Sequence, residues 1–235
     1  MNIGNKHSQL FEGYQFRECI PEDCTEVFFN CDEPYKEGIV VGVRSDESSL
    51  YGRYEETKLI ISSDEEIFAD PDCSDMFRDC INLRNVYCDN FNTSKVLNMD
   101  TMFTKATALE YVDLKDWDVS NVKRFIAMFS MAENLKSVSV SNWDTSAAQF
   151  MSSMFNSCKS LEVIDVSNWD VSNVRGFQRM FYHCKKLEQL NVSKWDISNC
   201  YSFEHMFKGC ENLISNEENF KYISNNPNPY GGKII

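Results

Sequence analysis

Ten cysteines and three histidines are the side chains of this 235-residue chain best suited to act as nucleophile, base or metal ligand. Their spacing argues against all three uses. Cys80, Cys158, Cys184 and Cys210 stand at multiples of 26 residues, and Ala106 and Ala132 occupy the same phase between them. A position that accepts Cys or Ala is small and buried, so these thiols are read as core. Neighbouring layers about 4.8 Å apart would bring Cys158 within disulfide reach of Cys184, but the alternation with Ala favours free thiols. A linear ladder does not converge tetrahedrally as zinc requires. Cys19, Cys24 and Cys31 have no recognisable metal spacing. His183 directly precedes Cys184, yet a core sulfur points away from any base. His7, His183 and His205 share no repeat phase. No G-x-S-x-G, Walker glycine loop or H-E-x-x-H occurs. The expectation is a non-enzymatic chain with no catalytic residue, metal or cofactor.

Carboxylates are the more informative charges. Residues 1 to 75 hold 18 Asp plus Glu against 6 Lys plus Arg, so the N-terminal third carries nearly all of the net charge of −13. Such a surface attracts basic partners and repels phosphates. Glu22, Asp23, Asp64, Glu65 and Glu66 are the clusters chosen as partner-binding. A terminal cap that uses charge to stay soluble and to block further stacking explains the same composition. In the remainder, Lys123-Arg124, Arg175 with Arg179, and Lys185-Lys186 make a modest basic stripe, against a pI near 4.7. Nucleic acid is therefore expected only as part of a protein complex.

The element that must position these groups is a repeat. Met-Phe recurs at Met76, Met102, Met128, Met154, Met180 and Met206, each 26 residues after the last. Leu83, Leu109, Leu135, Leu161, Leu187 and Leu213 keep the same phase, as do Trp117, Trp143, Trp169 and Trp195, with Phe91 in the first Trp slot. A fixed period in the twenties specifies a solenoid, whose coils bury their apolar faces only against one another. The stretch L-x-x-V-x-V alternates as a short strand. From Val122 to Phe129 the apolar spacing i, i+3, i+6, i+7 predicts about two turns of helix, with Ser120, Ser172 and Ser198 as N-caps. Asp118, Asp144, Asp170 and Asp196 are read as turn formers and the Trp column as core. Ahead of the repeats, Gly38 to Val43, a turn at Asp46 to Ser49, and Leu50 to Ser62 read as a hairpin-like cap; a helix near Ser8 to Cys19 is one reading of the start. Ser215 to Tyr222 reads as a final helix before a loose tail.

The pattern C-x-x-L-x-x-[VIL]-x-[VLC]-x-x-W-D-x-S-N-V-x-x-[FM]-x-x-M-F, seen best from Cys158 to Phe181, resembles the leucine-rich repeats of the BspA-like family. The resemblance spans roughly residues 73 to 214. It implies an α/β repeat solenoid, a right-handed coil with a parallel sheet on one side and short helices on the other, and a role in binding macromolecules. Many such proteins are secreted or surface-attached, whereas the polar stretch from Met1 to Leu10 is not an export signal and no apolar run is long enough to span a membrane.

The chain therefore divides into an acidic, β-containing cap (1–72), about five and a half coils (73–214), and a C-terminal helix and tail (215–235). Strand alternation points Tyr87, Asp89, Tyr111, Asp113, Lys115, Asp165, Gln189 and Asn191 outward, and tyrosines anchor interfaces at little rotamer cost. The functional expectation is a cytoplasmic monomer that binds another protein with a basic surface, in its narrowest form a phage-type inhibitor of a nuclease or RNA-guided defence effector. A surface adhesion module lacking its export signal and a passive scaffold are the competing readings.

Overall fold

The computed structural model describes residues 7–213. Six strands precede the repeats: β1 (His7–Leu10), β2 (Glu26–Asn30), β3 (Ile39–Val43), β4 (Ser49–Glu55), β5 (Lys58–Ser62) and β6 (Glu66–Phe68), with the short helix α1 (Gly13–Glu18) after β1. The first coil adds β7 (Asn85–Tyr87) and β8 (Phe91–Asn92), and the next two add β9 (Tyr111–Asp113) and β10 (Ser137–Ser139). β1 to β8 form one mixed, curled sheet in the order β7-β2-β5-β4-β3-β1-β6-β8, antiparallel among β5, β4, β3 and β1 and parallel toward both ends. Its two outermost strands, β7 and β8, are consecutive in the chain. The sheet thus folds over the open end of the solenoid: β2 lies parallel on β7, β6 lies parallel on β8, and the four strands between bridge across. Asn90, at the corner between β7 and β8, donates its side-chain amide to the carbonyls of Asn30, Ser63 and Glu65 at 3.2, 3.3 and 2.9 Å. This closure pairs the first coil's outer edges and leaves no ready template for another chain there.

The β3–β4 hairpin lies where its alternation predicts, with Asp46 accepting from the Ser48 N–H in the turn. The reading of Ser8 to Cys19 as helix holds only for α1. Ser8 to Leu10 pair with β3 and β6 instead, because Ser8 and Leu10 alternate inward. Gly13 is required at the start of α1: a Cβ there would lie 2.1 Å from the Ser74 carbonyl oxygen. Phe16 then packs against Phe29 and Phe77, joining cap to coils in one core.

Along the repeats, the Leu, Val, Trp, Met and Phe columns are buried, with Phe91, Phe207 and Leu213 at the two ends partly so. β9 and β10 pair in parallel, Val112 opposite Val138, and farther along the strand side reduces to a single bridge between Val163 and Gln189. Indole N–H groups link coils: Trp143, Trp169 and Trp195 donate to the carbonyls of Leu114, Val140 and Val166, each at 3.0 Å. Asn121, Asn173 and Asn199 reach back to the carbonyls of Ser94, Ser146 and Ser172. Core thiols do the same, Cys158, Cys184 and Cys210 donating to the Phe129, Phe155 and Phe181 carbonyls at 3.1, 3.0 and 2.9 Å. All ten cysteines are free.

The helical side differs from expectation. Outside α1 the described residues contain no helix, and the segments from Val119 to Phe129 and Val171 to Phe181 are tandem turns. The residue before each Met and the second after each Phe are left-handed: Thr101 and Lys105, Ala127 and Met131, Ser153 and Ser157, Arg179 and His183. Their N–H groups, and that of the Phe between them, point along the solenoid axis, as in Thr101 to Ile126, Phe103 to Met128 and Lys105 to Ser130, while the intervening N–H groups close turns within the coil, as in Thr104 to Thr101. A helix would satisfy its backbone internally and leave the coils joined on this side by side chains alone. Alternating turns satisfy the same groups and weld each coil to the next. Apolar spacing cannot separate the two, since both bring residue i+3 beside i. The serines are not N-caps: Ser120 donates its N–H and Oγ–H to Asp118 at 3.0 and 2.6 Å, and Asp170 and Asp196 hold Ser172 and Ser198 likewise through their N–H groups. The helix expected at Ser215 to Tyr222 lies outside the described residues.

Candidate partner-binding cleft

Five of the residues chosen from sequence, Glu66, Tyr87, Asp89, Asp113 and Lys115, line a single half-open cleft of about 630 Å³ where the cap meets the first two coils. Asp116, Asp118 and Trp117 complete its wall. Glu66 comes from β6, Tyr87 from the end of β7, Asp89 from the corner before β8, Asp113 from the end of β9, and the rest from the segment after it. The sheet explains the gap. β7 belongs to the cap sheet and β9 to a separate pair with β10, so strand pairing is interrupted between the first and second coils while the turn side stays hydrogen-bonded.

The cleft is acidic, with five carboxylates and one ammonium. Glu66 accepts from Asn92 at 2.8 Å, and Asp118 is held by Ser120. Lys115 sits 3.1 Å from Asp113 and 4.0 Å from Asp116, more than half exposed, and its hydrogen bond to Asp113 followed by the carboxylate charges raises its pKa. Asp89 has no hydrogen bond or ion pair among the described residues. At such a wall a cation from a partner replaces water without leaving a buried carboxylate unpaired. On the rim, Tyr87 stacks on Phe28 at 4.4 Å and its hydroxyl donates to Glu26 at 3.3 Å. Burial, then the Glu26 charge, raises the Tyr87 phenol pKa.

The other chosen residues are not brought here. Tyr111 is exposed on the strand face, its hydroxyl 3.0 Å from Ser139 Oγ. Asp165 and Asn191 cap Ser167 and Ser193 farther along the stack, and Gln189 is exposed beside them. In the cap, Glu22 and Asp23 are exposed, Asp23 accepting from Tyr54 at 2.7 Å, and Asp64 pairs with Arg44 at 2.8 Å. Glu65 does not belong with that outward set: it is buried, accepting from Ser45 Oγ at 2.6 Å and Ser8 Oγ at 3.1 Å with Arg44 at 3.5 Å. Alternation turns it inward between Asp64 and Glu66.

The basic stripe is divided. Lys185 and Lys186 pair with Glu211 and Glu162, and Arg124 pairs with Asp100. Cys184 directs its sulfur to the Phe155 carbonyl, away from His183. Among the described residues, no three His, Cys, Asp or Glu converge as metal ligands, and no helix is long and apolar enough to cross a membrane.

Asp116, Asp118 and Trp117 were not among the residues chosen for binding. Asp118 carries a turn signal and Trp117 a core signal, and both readings hold; their second position, on a cleft wall, follows from the break between β7 and β9, which leaves no mark in the repeat phase. No curated protein matches the sequence. Residues 71–163 and 135–226 each match one family, together covering well over half of the chain. By that match and by the stacked 26-residue coils, this chain belongs to the family described as Mycoplasma protein of unknown function, DUF285.

Proposed function

We propose that this chain is a non-enzymatic recognition protein that binds another protein through the acidic cleft at the cap–coil junction, the partner presenting lysine or arginine. The observation that supports it is the convergence of five carboxylates on one cleft, beside an exposed tyrosine. Charge of this kind speeds association and selects the partner's sign more than it adds affinity. The resemblance to BspA-like repeats supports the same binding role. A cytoplasmic inhibitor that masks the nucleic-acid surface of an enzyme is the narrower form of this reading, resting on charge complementarity alone. The second reading is a surface adhesion module, resting on the family resemblance; fractionating the source cells with an antibody against the chain separates the two.

The direct test is fluorescence anisotropy with labelled octa-arginine and octa-glutamate from 50 to 300 mM salt. Octa-arginine should bind, weaken with salt, and weaken further for the triple variant D89N/D113N/D116N, while octa-glutamate should not bind. Equal binding of octa-arginine by the wild type and the triple variant would reject the cleft as the site.

A further inference from the structure

The turn side of the third to sixth coils is positive in an acidic molecule. Segments 123–131, 149–157, 175–183 and 201–209 carry Lys123, Arg124, Arg175, Arg179 and Lys208 against one carboxylate, Glu204. Arg124 is held by Asp100, its Nε at 2.7 Å, and Glu204 sits 3.3 Å from His205. Lys123, Arg175, Arg179 and Lys208 are exposed, and none has an ion pair or side-chain hydrogen bond among the described residues. Elsewhere on the coils Lys105, Lys136, Lys159, Lys185 and Lys186 each meet a carboxylate one coil away. Aromatic rings are interleaved with the unpaired cations. Phe150 lies in the fourth coil between Arg124 of the third and Arg175 of the fifth, whose guanidinium carbons stand 5.2 and 5.6 Å from its ring centroid. Arg179 stands 5.9 Å over Tyr182, and Tyr201, 42% exposed, follows Arg175 by one coil at the same phase. Stacking occupies the flat face of a guanidinium and leaves its edge of N–H donors outward, a geometry that suits phosphate oxygens.

We infer that this face binds single-stranded nucleic acid, the strand running along the coils with its phosphates on Lys123, Arg175 and Arg179 and a base on Tyr201. Cations alone suit any polyanion. The rings set among them favour a strand whose bases are free to stack, over an acidic peptide or a duplex whose bases already stack on one another. The low pI does not oppose this. Most of the negative charge lies in the cap, and the fifth coil is four layers beyond the first, about 19 Å at about 4.8 Å each. Screening at physiological salt acts over about 8 Å. The inference is independent of the acidic cleft, which lies on the cap and the first two coils.

The test is fluorescence anisotropy with labelled oligothymidylate and oligouridylate of about a dozen nucleotides, from 50 to 300 mM salt. At least one should bind the wild type and weaken as salt rises. R175Q/R179Q should weaken binding and flatten the slope of log affinity against log salt by about 1.4, two phosphate contacts at about 0.7 each for a single strand. Y201A should weaken binding about fivefold to 150-fold, the loss of one base stack, with the slope unchanged. Arg175, Arg179 and Tyr201 are exposed, so both variants should keep the wild-type unfolding midpoint. Should either lose stability, K123Q, at an exposed position in another coil, reads the same change of slope, by about 0.7. Failure of both oligonucleotides to bind at 50 mM salt overturns the inference, as does unchanged binding by R175Q/R179Q. Equal affinity for octa-glutamate or for a duplex of the same length would assign the face to anions in general. Self-association in sedimentation that R175Q/R179Q abolishes would assign it to the acidic cap of a second copy; each of these results sinks the nucleic-acid reading. D89N/D113N/D116N leaves this face intact and should bind the oligonucleotides at least as tightly as wild type, so failure here and failure of the acidic cleft are read separately.

Discussion

The tandem turns in place of a helix lead to a prediction whose sign separates the two. Ala127 is left-handed, with φ of 55°, directly before Met128 and Phe129, and its N–H donates to the Ser152 carbonyl at 3.0 Å. For an L-residue this conformation costs about 1–2 kcal/mol, and glycine escapes that cost. Glycine also gives the unfolded chain more freedom, which removes about 0.5–1 kcal/mol. The balance makes Ala127→Gly neutral to stabilising by about 1 kcal/mol. In a helix interior the same change destabilises by about 1 kcal/mol. With a urea slope of roughly 3 kcal/mol/M, the two expectations differ by up to about 0.7 M in the unfolding midpoint, read by intrinsic tryptophan fluorescence. Ala127→Val is the control: a β-branched residue resists left-handed backbone and should lower the midpoint. A clear loss of stability in Ala127→Gly would refute the turn ladder.

Phe155 is fully buried between Phe129 and Phe181, with ring centroids 5.4 and 5.5 Å away, so Phe155→Ala should cost about 3–5 kcal/mol by urea titration. Because each coil is stable only through its neighbours, hydrogen exchange should rise in the adjoining coils as well. Trp169→Phe keeps most of the core volume but leaves the Val140 carbonyl without its indole donor, and should cost about 1–3 kcal/mol. Burial raises the thiol pKa of Cys200 and Cys210 to about 11 and of Cys80 and Cys88 to about 12. A folded-state value above the unfolded one contributes stability that is complete below about pH 9 and is lost as pH rises through 11 to 12. The unfolding midpoint measured from pH 8 to 11 should therefore fall. At pH 8 a thiol reagent should label exposed Cys31 well before Cys158 or Cys184.

Much of the molecule is legible in one dimension. The unbroken interval of 26 places Leu83, Trp117, Met128 and Phe129 in successive layers, because a coil too small for its own core survives only if its neighbours match it. The same register shows which strand residues face out, and so points to Tyr87, Asp89, Asp113 and Lys115. Left-handed positions are not legible: Asp75, Thr101, Ala127, Ser153, Arg179 and His205 share a backbone conformation but no residue type. Their conformation is imposed by hydrogen bonds to the next coil, which no local propensity contains.

The cleft depends on still longer-range facts. Glu66 lies 47 residues before Asp113 in the chain, and the two meet only because β6 closes on β8 while β7 is drawn to β2. Glu65, flanked by exposed carboxylates, is carried inward to Ser8 and Ser45 by strand alternation and the curl of the sheet. Sequence alone determined the stack, its period and its inward columns, since local repetition must satisfy the same burial in every coil. Tertiary structure decided where that repetition is interrupted, because the lapse of strand pairing between β7 and β9 arises from how the cap closes the end and is encoded in neither layer by itself.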